Sequence, residues 1–149
     1  MATRAADHVF VDTNVLVYAQ TTSSPLHPAA TARLQALVAA GHPLWISRQI
    51  MREYLAAMSR PGTLTSPPTM ATLVKNVQDF EKQFNVAEDG PTVTGSLLSL
   101  LLAVACSGKQ VHDANIVATM LAQGITRLLT HNTSDFSRFH AWISVIPVV

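Results

Sequence analysis

Three apolar residues, Val9-Phe10-Val11, lead into the polar trio Asp12-Thr13-Asn14, which gives way to Val15-Leu16-Val17. This pattern predicts a short buried strand over His8 to Asp12, with its carboxyl end at Asp12. Thr13 or Asn14 is placed to cap a helical segment running through Ala19. TTSSPLHP reads as a loop. PAATARLQALVAAG then has helical spacing at Ala30, Leu34, Leu37 and Val38 and ends at Gly41. PLWIS is a second strand. Ser47 caps the helix RQIMREYLAAMSR, whose apolar face is Ile50, Met51, Tyr54, Leu55 and Met58 and which carries Glu53 before Pro61-Gly62 stops it.

PGTLTSPPTM is too short to separate two domains and reads as a surface loop. Two helices follow, ATLVKNVQDFEKQF and TVTGSLLSLLLAVACSG, with a short strand between them around Asn85 to Ala87. The second is apolar on most sides, which predicts a core helix or part of a subunit interface. VHDANIVATMLAQG places Ile116, Val117, Met120 and Leu121 on one helical face and ends at Gly124. ITRLLT is a strand, THNTSDFSRF a polar turn into a short helix, and WISVIPVV a last strand. Strands alternating with helices predict a parallel sheet covered on both faces, because parallel neighbours need crossover connections.

Composition narrows this picture. At 149 residues, with 48% hydrophobic and 13% charged residues, the chain is expected to fold as one domain, 1–149, with a large core. The lone cysteine, Cys106, has no partner for an internal disulfide and reads as a small apolar residue on a buried helix face. Together with the lack of a signal-peptide-like run near the start and of an apolar stretch long enough to span a bilayer, it points to a cytoplasmic protein without a membrane anchor. A net charge of +1 says little about partners, since a nucleic-acid binder relying on bulk electrostatics would usually be far more basic, so any such contact must be local.

Chemistry in an open parallel sheet gathers outside the carboxyl ends of the strands, where strand order reverses. Asp12 and the segment Thr130 to Asp135 both follow predicted strands, and Glu53 and Asp113 lie in the first two turns of helices. Of nine acidic residues, these four sit in otherwise apolar surroundings at that edge. Carboxylates held close together raise one another's pKa unless a cation neutralises them, and hard oxygen donors suit Mg²⁺ or Mn²⁺. Such an ion supports hydrolysis of a phosphodiester.

VDTNVLVYA, Glu53 in REYLAAMSRP, HDANIVATMLAQG and LLTHNTSDFSRF together resemble the four signature segments of PIN-domain ribonucleases, in particular VapC-type toxins of bacterial toxin–antitoxin pairs. The resemblance spans nearly the whole chain and rests on four segments in the right order. It implies a three-layer α/β/α sandwich around a parallel sheet of about five strands. It also implies a Mg²⁺ or Mn²⁺ site and hydrolysis of RNA to 5′-phosphate and 3′-hydroxyl ends, with a VapB-like antitoxin and a homodimer as partners. Asp12, Glu53 and Asp113 match the family's first three acidic positions. At the fourth, Asn132 stands where many relatives carry an acid, with Asp135 three residues later. Thr13 and Thr130 match supporting hydroxyls, and Asn14 stands beside them.

Plainer readings exist for each residue. Asp12 and Asp135 can serve as caps, Asn132 can stabilise a turn, Glu53 can pair with Arg52, and Asp113 can sit in a first turn favoured by the helix dipole. His112 and His131 flank the region without zinc-ligand spacing. Arg48, Arg52 and Arg60 either form a solvated helix face or touch RNA phosphates. Trp45 and Trp142 read as core or interface residues. Two other functions stay open: a PIN-like module that grips RNA or protein without cutting, and phosphoryl transfer to Asp12, which lacks a second Asp at position 14.

Overall fold

The structure is a computed structural model that describes residues 7–62 and 64–149. Residues 1–6 and Thr63 lie outside the described residues, and with them the start of the expected single domain and one position of the surface loop. The chain runs β1 (Val9–Val11), α1 (Thr13–Gln20), α2 (His27–Ala39), β2 (Leu44–Ser47), α3 (Arg48–Ser59), α4 (Met70–Gln83), β3 (Asn85–Ala87), α5 (Pro91–Ala103), α6 (Gln110–Ala122), β4 (Arg127–Thr130), a 3-10 helix (Thr133–Phe139) and β5 (Ser144–Pro147). The five strands form one sheet in the order β3-β2-β1-β4-β5, and every pairing is parallel. Successive strands march outward from β1 to β3. The chain then crosses back to place β4 on the other side of β1, so the order reverses between β1 and β4.

Right-handed crossovers put α1 to α4 on one face and α5, α6 and the 3-10 helix on the other. The packing agrees: α1 lies against α2 and α3, and α3 against α4, while α5 runs along α6 and α6 meets the 3-10 helix. This is the expected three-layer sandwich. The central strands are apolar without alternation because both faces are covered: Val9, Phe10, Val11, Leu128 and Leu129 are all fully buried. From either face, Ile50, Tyr54, Leu73, Ile116, Val117 and Met120 complete the core. Gly41 and Gly124 end α2 and α6 at φ 85° and 70°, backbone that a side chain would strain.

The structure corrects four expectations. The cap of α1 is Asp12 itself, whose side chain accepts the Thr13 backbone N–H; Thr13 and Asn14 lie inside the helix. Val38 is 62% exposed rather than part of the α2 core face, because the helix meets the core through Ala30 and Leu37. Helix α5 ends at Ala103, where Val104 turns to extended backbone, and it buries only Val93 and Leu100. It is not a core helix: Leu98 and Leu102 stand 58% and 92% exposed. Cys106 therefore lies beyond the helix, partly exposed, rather than on a buried helix face.

Candidate active site

The reversal of strand order brings two chain segments together at the carboxyl edge of the sheet. Val11 pairs with Leu129, and the Asp12 backbone N–H donates to the Leu129 carbonyl at 3.0 Å. That register sets the next residue on each strand side by side. The Thr130 hydroxyl donates to Asp12 Oδ2 at 2.7 Å, across 118 residues of sequence. Asn14 Nδ2 donates to the same oxygen at 3.0 Å, and the Thr13 backbone N–H donates to Oδ1 at 2.8 Å. Asn14 is itself fixed by the His131 backbone N–H on its Oδ1, and the Asn132 N–H donates to Thr130 Oγ1. Asp12 is 5% exposed, so the chain satisfies a buried carboxylate with three donors.

Burial nevertheless raises the Asp12 pKa from 3.8 to about 6; the three hydrogen bonds oppose that rise and the Glu53 charge adds to it. Asp113, in the first turn of α6, is also pushed up to about 6, first by burial and then by the charges of Asp12, Asp135 and Glu53, with Arg138 opposing. Among the described residues no hydrogen bond holds the Asp113 carboxylate.

Glu53 is held from both sides. The Thr13 hydroxyl donates to its Oε2 at 2.7 Å and Gln49 Nε2 to its Oε1 at 2.9 Å, so pairing with Arg52 is not what occupies it. Asp12, Thr13, Asn14, Glu53, Asp113 and Asn132 line one cleft of about 300 Å³, with Val17, Tyr18 and Ala57 on its apolar side. Hollows of about 360 Å³ lie elsewhere, beside Met58 and Leu64 and beside Leu100 and Trp142, but neither contains an ionisable side chain. Chemistry, not size, therefore picks the cleft.

The fourth position resolves unevenly. Asn132 lines the cleft, whereas Asp135 lies exposed in the first turn of the 3-10 helix and reaches the site through its charge on Asp113. The histidines stay structural: the His112 carbonyl accepts from Gln49, and the His131 ring stands edge-on to Tyr18 at 5.6 Å. Arg48 is engaged elsewhere, by Glu81 at 2.9 Å and Glu88 at 3.0 Å, while Arg52 and Arg60 are exposed. Trp45 stacks on His8, donating to its Nδ1, and Trp142 is partly buried against the core. Sequence reasoning missed Gln49, Asn115 and Arg138; a glutamine one helical turn before Glu53, on the apolar side of α3, was the signal available.

The donor set is chemically right for a hard divalent cation, since carboxylates and hydroxyls dominate the cleft. Among the described residues, however, no three acidic, histidine or cysteine side chains are gathered closely enough to hold a metal ion as they stand. Asp12, Glu53 and Asp113 share one cleft and feel one another's charge without forming a closed coordination set.

Comparison with known proteins agrees with this architecture. Ribonuclease VapC48 of Mycobacterium tuberculosis is 27% identical over 130 residues, covering 86% of this chain and 89% of that protein. Ribonuclease VapC24 of the same species is 25% identical over 132 residues, covering 87% and 89%. Among solved structures, VapBC2 from Rickettsia felis bound to a promoter DNA fragment superimposes with a TM-score of 0.68 at 17% identity, covering 93% of this chain and 97% of that one. The sarcin-ricin loop cleaving toxin VapC20 of M. tuberculosis gives 0.60 at 16% identity, covering 80% and 86%. The PIN domain family model matches residues 9–141, from the first residue of β1 to just past the 3-10 helix, and this chain belongs to the PIN domain family.

Proposed function

We propose that this protein is an endoribonuclease that hydrolyses RNA phosphodiester bonds with Mg²⁺ or Mn²⁺ and acts as the toxin of a toxin–antitoxin pair. The single observation that supports it most is the shared cleft of Asp12, Glu53 and Asp113, built at the point where strand order reverses. Similarity to proteins named VapC ribonucleases, and to complexes of such toxins with antitoxins, supports the toxin role and a VapB-like partner.

Asp12, Glu53 and Asp113 would hold the cation, with Asn132 or Asp135 completing the site. A bound divalent ion supplies positive charge beside phosphate oxygens and acidifies water. The chain's own residues do the rest. Thr13, Asn14 and Thr130 hold Asp12 and Glu53 in place. Arg52 on α3 and Arg60 at its carboxyl cap are the arginines available to meet RNA phosphates, Arg48 being engaged by two glutamates. The products would carry 5′-phosphate and 3′-hydroxyl ends.

Asn132 at the fourth position and the open spacing of the acids favour a second reading, a PIN-like module that binds RNA without cutting it. Incubating purified protein with structured and single-stranded RNA, with and without Mn²⁺, separates the two. Cleavage that is lost on chelation supports the nuclease; binding without turnover overturns it. Growth arrest on induction, relieved by co-expressing a cognate antitoxin, tests the toxin role, and sedimentation tests the homodimer.

A further inference from the structure

Gln49 is a polar residue that the cleft chemistry does not use directly, yet it is only 6% exposed. Its side chain is fully committed. Nε2 donates to Glu53 Oε1 at 2.9 Å and to the His112 carbonyl at 2.9 Å, while Oε1 accepts from Asn115 Nδ2 at 2.8 Å. Asn115 in turn donates to Asp89 Oδ2 at 3.3 Å. These bonds join opposite faces of the sheet: Gln49 and Glu53 belong to α3, His112 and Asn115 to α6. His112 immediately precedes Asp113.

A buried amide with every group paired is expected to fix local geometry, because each bond broken leaves a desolvated donor or acceptor behind. The amide has one orientation that satisfies all partners. Asn115 presents an N–H to Oε1, and Nε2 faces Glu53 and the His112 carbonyl. Reversing the amide would set donor against donor at Asn115 and oxygen against oxygen at Glu53. Glu53 Oε1 and the His112 carbonyl can only accept, so they fix the direction of the Gln49 amide, Asn115 closes its oxygen side, and Gln49 ties Glu53 to the first turn of α6.

We propose that Gln49, backed by Asn115, is a positioning residue that ties Glu53 to the start of α6 and so sets the spacing between Glu53 and Asp113. This rests on the nuclease reading for its consequence but not for its geometry. Partners behind metal-holding side chains typically change affinity 10- to 100-fold when removed. Gln49→Leu keeps the side chain's bulk and removes all three bonds.

Two measurements decide the matter. In the first, Mn²⁺ binding is followed by electron paramagnetic resonance for the intact protein, Gln49→Leu and Asn115→Ala. An affinity loss of about 10-fold in both variants is expected; affinity within twofold of the intact protein in both would overturn the positioning role. In the second, without metal, thermal unfolding is compared for Glu53→Gln, Asn115→Ala and the double variant, in the natural background and with Gln49→Leu. The two substitutions are expected to be non-additive only where Gln49 is present. Additivity in both backgrounds would overturn the link between the helices. Absence of Mn²⁺ uptake by the intact protein would count against the cation in the proposed function, and the unfolding cycle would still decide the role of Gln49.

Discussion

The two sides of the cleft are built differently although their carboxyl groups titrate alike. On the β1 and β4 side Asp12 is buried and holds three donors, each placed by strand register or by the first turn of α1. On the α6 side Asp113 is half-buried, surrounded by like charge, and without a hydrogen bond among the described residues. Both rise to about 6, Asp12 because burial outweighs its hydrogen bonds, Asp113 because burial and repulsion act together. One side is a preorganised anchor; the other is an acid that no hydrogen bond fixes among the described residues. That division accounts for a cleft whose residues suit a cation although their present spacing does not close around one.

The largest expected effects concern turnover. Asp12→Asn and Asp113→Asn should each reduce RNA cleavage by about 100-fold or more, measured under single-turnover conditions. Full activity in either would break the assignment.

Stability without metal should separate the two sides. A carboxyl group whose pKa is raised on folding contributes stability that is fully present below about 3.8 and is lost as pH rises through about 6. For Asp12 the rise corresponds to about 3 kcal/mol lost by neutral pH. Thermal melts of the metal-free protein should therefore fall from acid to neutral pH, and Mn²⁺ should restore them only at neutral pH. Below that transition, Asp12→Asn should cost about 2 kcal/mol, since three donors then face a single oxygen. Asp113→Asn should be close to neutral in acid and stabilising at neutral pH. Equal behaviour of the two variants would erase the contrast.

A smaller change should come from Thr130→Val, which removes one of the two bonds to Asp12 Oδ2. Stability should drop by about 1 kcal/mol. The acidic limb of the pH–rate profile should move upward, because a bond favouring the ionised form is gone. Smallest of all, Arg48→Ala breaks two solvent-screened pairs with Glu81 and Glu88 and should leave both melting temperature and cleavage nearly unchanged.

The anchor was far more legible in the sequence than the α6 side. An Asp ending an apolar strand, a hydroxyl ending another, and the alternation of strands and helices carry the parallel sheet and put both residues at its carboxyl edge, whereas the meeting of Asp12 with Thr130 is set by the register of β1 on β4. Asp135 and Asn132 could not be separated that way, because which one faces the cleft depends on a 3-10 turn rather than on a repeating period. Gln49 and Asn115 escaped notice because nothing in helical spacing marks two amides that meet across the sheet edge, 66 residues apart. Helix α5 misled in the opposite direction. Its leucines face several ways, and apolar composition says how much could be covered, not how much is.

The most direct test of the account is anomalous diffraction from crystals soaked in Mn²⁺. A single dominant peak bordered by Asp12, Glu53 and Asp113, with the Asp113 side chain drawn inward while Asp12 stays on Thr130 and Asn14, is the expected result. A cleft with no manganese at neutral pH and saturating metal would contradict it.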